Sequence, residues 1–438
     1  MLHRARLRLR GGATAIVVAA GTAASGWGQP ANRLVVLDHV RIVDGTGARP
    51  TDDGRLLIDG DRIVQVGPVS EVNAPAGAER VELTGRTVMP GLIDLHFHIE
   101  KDPALALRQL SHGVTTFRDP GQWNDRFDEL RRTIAADGLP GPRIFTTGPH
   151  IDGEGPAYPA DSVVARDPEE ARRLAERAVR EGASALKIYF RLPFASAKAV
   201  IGVCEAHRIP CTAHLEILDA GELIDAGLHG IEHITSFGTS LVPRREAEAY
   251  RQAVLAANDA RRDGRYRLFA GADLDGAAAH ALYAILRTRR PWVDPTLAVF
   301  ERRAAQPPAG ASPEHAALLA AGFRKMQQLT RRIADEGARV VVGGHTEVPF
   351  AGRGEAPWRE LELLVDSGFT PLEAITAATG TAAAFLYRER EIGTLRAGLK
   401  ADVVIVRGDP TQNIAAIRAV ERVMVDGRWV DVARYRGR

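Results

Sequence analysis

Apolar and polar positions alternate with period two near both ends of the chain and with a helical period through its middle. RLVVLDHVRIVDG, GRLLIDGDRIVQVGP and ERVELTGRTVMPG are short alternating runs closed by Gly, Asp or Pro, which predicts strands joined by tight turns. The same texture returns in EIGTLRAGLKADVVIVRGD and AVERVMVDGRWVD. Between them, β-rich runs alternate with amphipathic stretches such as PEEARRLAERAVREG and HAALLAAGFRKMQQLTRRIADEG. That alternation predicts an α/β fold, a (β/α)8 barrel. Neither terminal piece holds enough strands to bury a face alone, so the two are expected to combine in one small β-sandwich. Barrel strands are expected at 91–98, 114–118, 143–147, 185–189, 210–214, 230–233, 292–297 and 340–343. The expected organisation is a leader at 1–29, the N-terminal part of the small β domain at 30–85, the barrel at 86–385 and the C-terminal part of the β domain at 386–438. Segment 241–290 carries a helical pattern and predicts extra helices at a rim, with RRDGRYR inside it as a solvated helix end.

Of 438 residues, 45% are hydrophobic and 26% charged, the balance of a folded enzyme with a large core. The formal net charge is only +2, and Arg4, Arg6, Arg8 and Arg10 crowd the first ten residues. The remainder is slightly acidic, which gives a nucleic-acid surface no support. Behind those arginines ATAIVVAAGTAA is short and apolar, and SGWGQP follows. That order predicts a cleaved secretory signal, hence a periplasmic or extracellular location with no membrane span afterwards. Cys204 and Cys211 are the only cysteines, too few for a disulfide scaffold. One is expected on a helix and the other on a strand, both as buried thiols.

GLIDLHFH places His96 and His98 at i and i+2 at the end of an apolar run. Strand side chains repeat every two residues, so both face one way. At the carboxyl end of a barrel strand, that way is the active-site cavity. Taken alone, the pair reads equally well as two histidines packed in a rim. His214 in TAHLE and His233 in GIEHI close two later β runs and bring four of the 13 histidines to one face. Imidazole nitrogens there suit zinc or a similar divalent ion. Lys187 in ALKIYF ends the fourth expected strand, where a bare ammonium is costly. Either it pairs with Glu216 or Asp119, or carbon dioxide converts it to a carbamate able to bridge two metals. Arg118 and Asp119 either order the site or pair with each other in a turn. His150 opens a Gly/Pro-rich loop over the third strand and either touches substrate or is solvated. Tyr189 is expected beside Lys187 in the cavity, and Arg191 is a candidate for a substrate carboxylate. Asp273 and Asp275 read as a cap or turn. Asp294 and Thr296 lie near the seventh strand, Thr296 toward the pocket.

VMPGLIDLHFH, GVTTFRDPG, ALKIY, TAHLE, GIEH and GFTPLEAITAATGTAAAFLYREREIGTLRAGLKADVVIV occur in that order. As an ordered set they span nearly all of the chain beyond the leader. They resemble the metal-dependent amidohydrolase superfamily, especially its imidazolonepropionase-like and prolidase-like branches. The resemblance implies a TIM barrel with a composite β domain and one or two divalent ions, zinc first among them. It implies His96 and His98 on the first metal, a carbamate on Lys187 as the bridge, and His214 and His233 on the second. The eighth strand departs from the family, which usually ends it in a Gly-Thr-Asp pattern. That aspartate binds the first metal and takes the proton from the attacking water. Here VVVGGHTEVPF puts His345 in its place, with Glu347 two residues on. Three readings follow. His345 binds metal or accepts the proton, Glu347 supplies the carboxylate if the strand continues, or the protein binds metal with little turnover.

These readings converge on metal-dependent hydrolysis of an amide, cyclic amide or dipeptide-like C–N bond by activated water. His345 or Glu347 is the expected proton shuttle, with His150 and Tyr189 as further catalytic candidates. An esterase or lactonase of the same superfamily, and a metal-binding protein without turnover, are the alternatives. The expected partner is a small molecule or short peptide, and homo-oligomerisation is open.

Overall fold

The structure is a computed structural model that describes residues 34–99, 102–138 and 140–436. The expected signal segment lies outside the described residues. Eight short parallel strands carry the middle of the chain: β1 (Leu92–Asp94), β2 (Val114–Asp119), β3 (Arg143–Thr146), β4 (Leu186–Ile188), β5 (Cys211–His214), β6 (Gly230–Glu232), β7 (Trp292–Asp294) and β8 (Arg339–Val340). Each falls within or beside one of the eight runs expected from the sequence.

The strands lie in two ladders, β1–β2–β3 and β4 through β8. Two seams join them. His150–Asp152 prolongs the third strand along the chain and pairs with β4 at Ile151 and Ile188, so that strand passes from one ladder to the other. On the opposite side the Leu95 N–H donates to the Val342 carbonyl at 2.9 Å, joining β1 to the extension of β8. The result is a (β/α)8 barrel.

Its outer helices follow from local sequence. In Pro168–Arg180, Asp167 accepts from the Glu170 N–H as N-cap and proline occupies the first turn, both strong start signals. Ala171, Ala175 and Ala178 then recur at helical spacing and are buried, letting the helix lie close on the strands. Between β6 and β7 the chain inserts three helices, Arg244–Ala256, Arg261–Gly271 and Ala277–Arg289. RRDGRYR is not a solvated helix end. Arg261, Gly264, Leu268 and Phe269 are buried along one face of the second inserted helix, a face whose i, i+3, i+7, i+8 spacing is that of an inward stripe.

The terminal runs form one eight-stranded sheet built from both ends of the chain. Arg86–Pro90 is the link: it pairs parallel with Leu34–Ile42 and antiparallel with Val403–Arg407. Val35, Leu37, Leu56, Ile58, Val403, Ile405 and Met424 share one core. The alternate residues Val404, Val406, Val423 and Val425 join the barrel core. Period-two alternation thus gives the composite sheet one face of its own and one face on the barrel. Cys204 and Cys211 are buried free thiols, on the helix Phe194–His207 and at the start of β5. No helix among the described residues is long and apolar enough to cross a membrane.

Candidate active site

The carboxyl ends of the barrel strands open into a cavity of ≈ 680 Å³. His96, His98, His150, Lys187, Tyr189, His214, His233 and His345 all line it. Glu347 does not: it is exposed and outside the lining.

The imidazoles form a connected group. The rings of His96, His98 and His345 stand 5.1 Å from one another, pair by pair. One ligand atom from each lies within 4.8 Å of the others. His233 follows at 4.6 Å from His96, and His214 at 4.5 Å from His233. Four of these rings have one nitrogen engaged by a neighbour. His96 Nδ1 lies 2.9 Å from Asp294 Oδ2, His98 Nδ1 lies 3.1 Å from Asp119 Oδ1, and His233 Nδ1 lies 2.6 Å from Thr296 Oγ1. His214 is turned the other way: its Nε2 meets Glu216 at 2.9 Å and Arg265 at 3.0 Å, and its buried Nδ1 has no partner. Burial holds His96, His214 and His233 well below the ordinary imidazole range, so they are neutral. Neutral imidazoles with one nitrogen fixed and the other left for coordination are the donor set a divalent transition ion takes. The residues present fit such an ion.

The eighth strand explains why Glu347 is excluded. Its regular pairing ends at Val340. Asp94 Oδ1 then accepts from the Gly344 N–H at 2.9 Å, and the Thr346 hydroxyl donates to the His98 carbonyl at 2.8 Å. Between these two anchors His345 adopts φ +60°, a left-handed conformation that is uncommon for a residue other than glycine. The i, i+2 relation holds only in extended chain, and this turn cancels it. Gly343 is required by packing, because a Cβ there would overlap the Asp294 carboxylate and His96. His233 and Thr296 also have positive φ, +65° and +46°; Thr296, expected toward the pocket, is buried behind His233 and is not part of the lining.

Lys187 is buried and bonded to Glu232, not to Glu216 or Asp119. Glu232 also receives Arg118 at 2.9 Å and the Thr212 hydroxyl. Burial would raise the Glu232 carboxyl, but Arg118 and Lys187 outweigh it and bring it down to about 2. Burial lowers the Lys187 ammonium pKa against the pull of Glu232. Arg118 and Asp119, adjacent in sequence, thus serve different partners and do not pair with each other. Arg191 is spent on Asn258 and on the Val254 and Leu255 carbonyls. It is not part of the lining. Asp273 accepts from the Asp275 N–H in an exposed turn.

The upper wall holds residues that the sequence reading missed or assigned to solvent. Arg126, Arg261, Arg265, Gln122, Tyr158 and Phe300 all face the cavity. His150 stacks on Tyr189 at 4.4 Å with 24° between the rings. Burial pushes the Tyr189 hydroxyl well above its ordinary range, which keeps it protonated as a donor. The signal for the arginines was present: Arg261 and Arg265 are four residues apart, on the stripe shared with Leu268 and Phe269.

The model of the amidohydrolase family matches residues 87–430. A segment is 31% identical over 110 residues to the imidazolonepropionase of Micrococcus luteus, covering 23% of this chain and 27% of that enzyme. The match therefore spans about a quarter of that relative's length. In structure the chain is similar to a candidate prolidase from Bifidobacterium longum, with 25% identity, a TM-score of 0.71 and coverage of 93% of this chain and 98% of that one. It shares the fold of a Xaa-Pro dipeptidase described with methionine bound in its active site, at 20% identity and a TM-score of 0.69, over 90% of this chain and 99% of the other.

Proposed function

The chain belongs to the amidohydrolase family, hydrolases that act on carbon–nitrogen bonds, and on that footing we propose that it is a metal-dependent hydrolase of small-molecule or short-peptide amides. The observation that carries the reading is the connected set of His96, His98, His214, His233 and His345 at the cavity, four of them with one nitrogen already engaged. When bound, a divalent ion, zinc by donor preference, supplies an acidified water and polarises the substrate carbonyl.

His96, His98 and His345 would hold one ion, and His214 and His233 a second. Lys187, if converted to its carbamate, would add an anionic donor beside them. Burial favours that change, because it lowers the ammonium pKa and only the neutral amine attacks carbon dioxide. Arg118 and Thr212 then keep Glu232 paired. Two observations support His345 as a donor more than as the proton shuttle. It closes the trio, and burial with His98 and Lys187 nearby brings its pKa down to about 3, a weak base at neutral pH. Tyr189, protonated and lining the cavity, donates to the substrate oxygen, and His150 stacks behind it to hold the ring in place.

The test is protein expressed with added zinc and bicarbonate, assayed for metal per chain and for turnover on matched panels of dipeptides, N-acyl amino acids and esters. Metal bound together with amide cleavage supports the reading. Metal-loaded protein that cleaves only the esters, or nothing, overturns it.

A further inference from the structure

A second cavity, of ≈ 640 Å³, lies between the loop that follows β5 and two of the inserted helices. It shares no lining residue with the catalytic cavity. Sequence periodicity builds it. Along Ala277–Arg289, Ala278, Ala281, Leu282 and Ile285 recur at i, i+3, i+4 and i+7 and turn one apolar stripe toward it. Along Arg244–Ala256, Arg244, Ala247 and Arg251 stand at i, i+3 and i+7, so both guanidiniums belong to the face that lines it. Asp219 and Glu222, three residues apart at the start of the helix Ala220–Asp225, bring the opposite charge.

These four charges line one space without meeting. Asp219 is bonded to neutral groups, the Ser240 hydroxyl at 2.8 Å and the Glu222 N–H at 3.1 Å. Arg251 donates its Nε to the Ile217 carbonyl at 2.7 Å. Among the described residues the one carboxylate within ion-pair range of it is Glu248, at 3.8 Å on a side chain 55% exposed. Arg244 and Glu222 have no side-chain partner among the described residues. A further polar group is left over. Thr239 is 6% exposed and lines the cavity, and its Oγ1 has no hydrogen-bond partner. A buried hydroxyl left unpaired is costly, and a polar ligand seated there removes that cost.

The arrangement selects the ligand. A lone anion in this space meets two carboxylates, and a lone cation meets two guanidiniums. A ligand carrying both signs meets each with its opposite. The flat fork of an arginine matches a carboxylate, and the three donors of an ammonium match the acid side. Leu282 and Ile285, with Leu218 and Val242, offer an apolar wall for an aliphatic group. An α-amino acid joins these three parts on one carbon.

We propose that this cavity binds a free amino acid with an aliphatic side chain, held as its zwitterion, at a site apart from the catalytic cavity. This deepens the hydrolase reading and rests on it only in making that amino acid a product of amide cleavage. The binding itself is measured without turnover.

The experiment is calorimetry on the full-length, zinc-loaded protein with three probes of one skeleton: L-leucine, 4-methylpentanoate, which lacks the amine, and 3-methylbutylamine, which lacks the carboxylate. Leucine should bind about tenfold or more tighter than either analogue. Arg244→Ala and Glu222→Gln, both at exposed positions, should each weaken leucine about fivefold or more, while Arg245→Ala, beside the cavity but outside its lining, should leave it unchanged. Ala281→Trp, which fills the cavity from its exposed wall, should abolish binding, with circular dichroism checking the fold. His345→Ala alters the catalytic cavity and should keep leucine affinity within about twofold. No leucine binding at millimolar concentration, or an analogue that binds as well as leucine, overturns the proposal. So does affinity unchanged in both Arg244→Ala and Glu222→Gln, or binding lost in His345→Ala and kept in Ala281→Trp, which places leucine at the catalytic cavity instead. If leucine binds as stated and no amide is cleaved, the hydrolase reading fails and the amino-acid site stands. If amides are cleaved and leucine does not bind, the reverse holds.

Discussion

Asp119 grips His98 from two sides: its Oδ1 lies 3.1 Å from the His98 Nδ1, and its Oδ2 accepts the N–H of Ile99 at 2.8 Å. One carboxylate thus sets both the ring orientation and the backbone at the end of the first strand. Such outer partners of a metal-binding histidine hold its tautomer and raise its donor strength.

Replacing Asp119 by Ala should therefore weaken metal binding about 10–100-fold while leaving the barrel folded. Dialysis against graded chelator, followed by metal analysis, measures the affinity, and circular dichroism checks the fold. Affinity equal to that of the unaltered protein would show that Asp119 only anchors the loop.

At the eighth strand two neighbours should behave oppositely. His345 closes the three-histidine group, whereas Glu347 is exposed. His345→Ala should lower bound metal and cut turnover by a factor of 100 or more, on the order of 3 kcal/mol in the barrier. Glu347→Gln should stay within about twofold, as exposed substitutions usually do. Metal content and kcat measured side by side decide this. A severe loss in Glu347→Gln with His345→Ala intact would exchange their roles.

Arg118 is an interior cation. It is 1% exposed, bonds the Leu95 carbonyl and Thr212, and meets Glu232 at 2.9 Å. Removing one partner of such a buried pair leaves the other uncompensated, at a cost of about 3–5 kcal/mol. Lys187 still faces Glu232 after Arg118→Met, so the loss should fall toward the lower figure. Urea unfolding of the metal-free protein gives the number, and a change under about 1 kcal/mol would mean that Lys187 alone satisfies the carboxylate.

What the sequence disclosed and what it hid divide along a physical line. The eight strands and the direction of His96, His98, His214 and His233 follow from period-two order and strand-end position, which act within a few residues. Glu347 went astray because φ +60° at His345 is imposed from outside, by Asp94 on Gly344 and His98 on Thr346. Lys187 was expected to meet Glu216 or Asp119. It meets Glu232 instead, since β4 and β6 flank β5 and their side chains converge beneath the cavity. Arg261 and Arg265 were set aside as solvated because charge was weighed above spacing. Their place on the stripe of Leu268 and Phe269 was the better guide, and a buried arginine there needs a partner or a ligand.

Glu360 gives a test that does not involve the metal site. It is fully buried in the helix Ala356–Asp366, and its two oxygens accept the N–H groups of Leu297 and Ala298 at 2.8 Å each. Those donors favour the ionised form, but burial is the larger effect and pushes the carboxyl up to about 8 from 4.5. The folded protein then keeps this proton up to about pH 8, while the unfolded chain releases it near 4.5. Between those values the folded state binds more protons, so stability falls as pH rises, and the full cost is reached above pH 8. At 1.36 kcal/mol per unit the difference is at most about 4–5 kcal/mol. Glu360→Gln keeps one accepting oxygen and cannot titrate, so subtracting its pH profile from that of the unaltered protein isolates the carboxyl. Urea unfolding at pH 5 and pH 8 should show the unaltered protein losing ground to Glu360→Gln as pH rises. A flat difference would mean that Glu360 stays ionised throughout, held by the two N–H donors at the start of Leu297–Ala305.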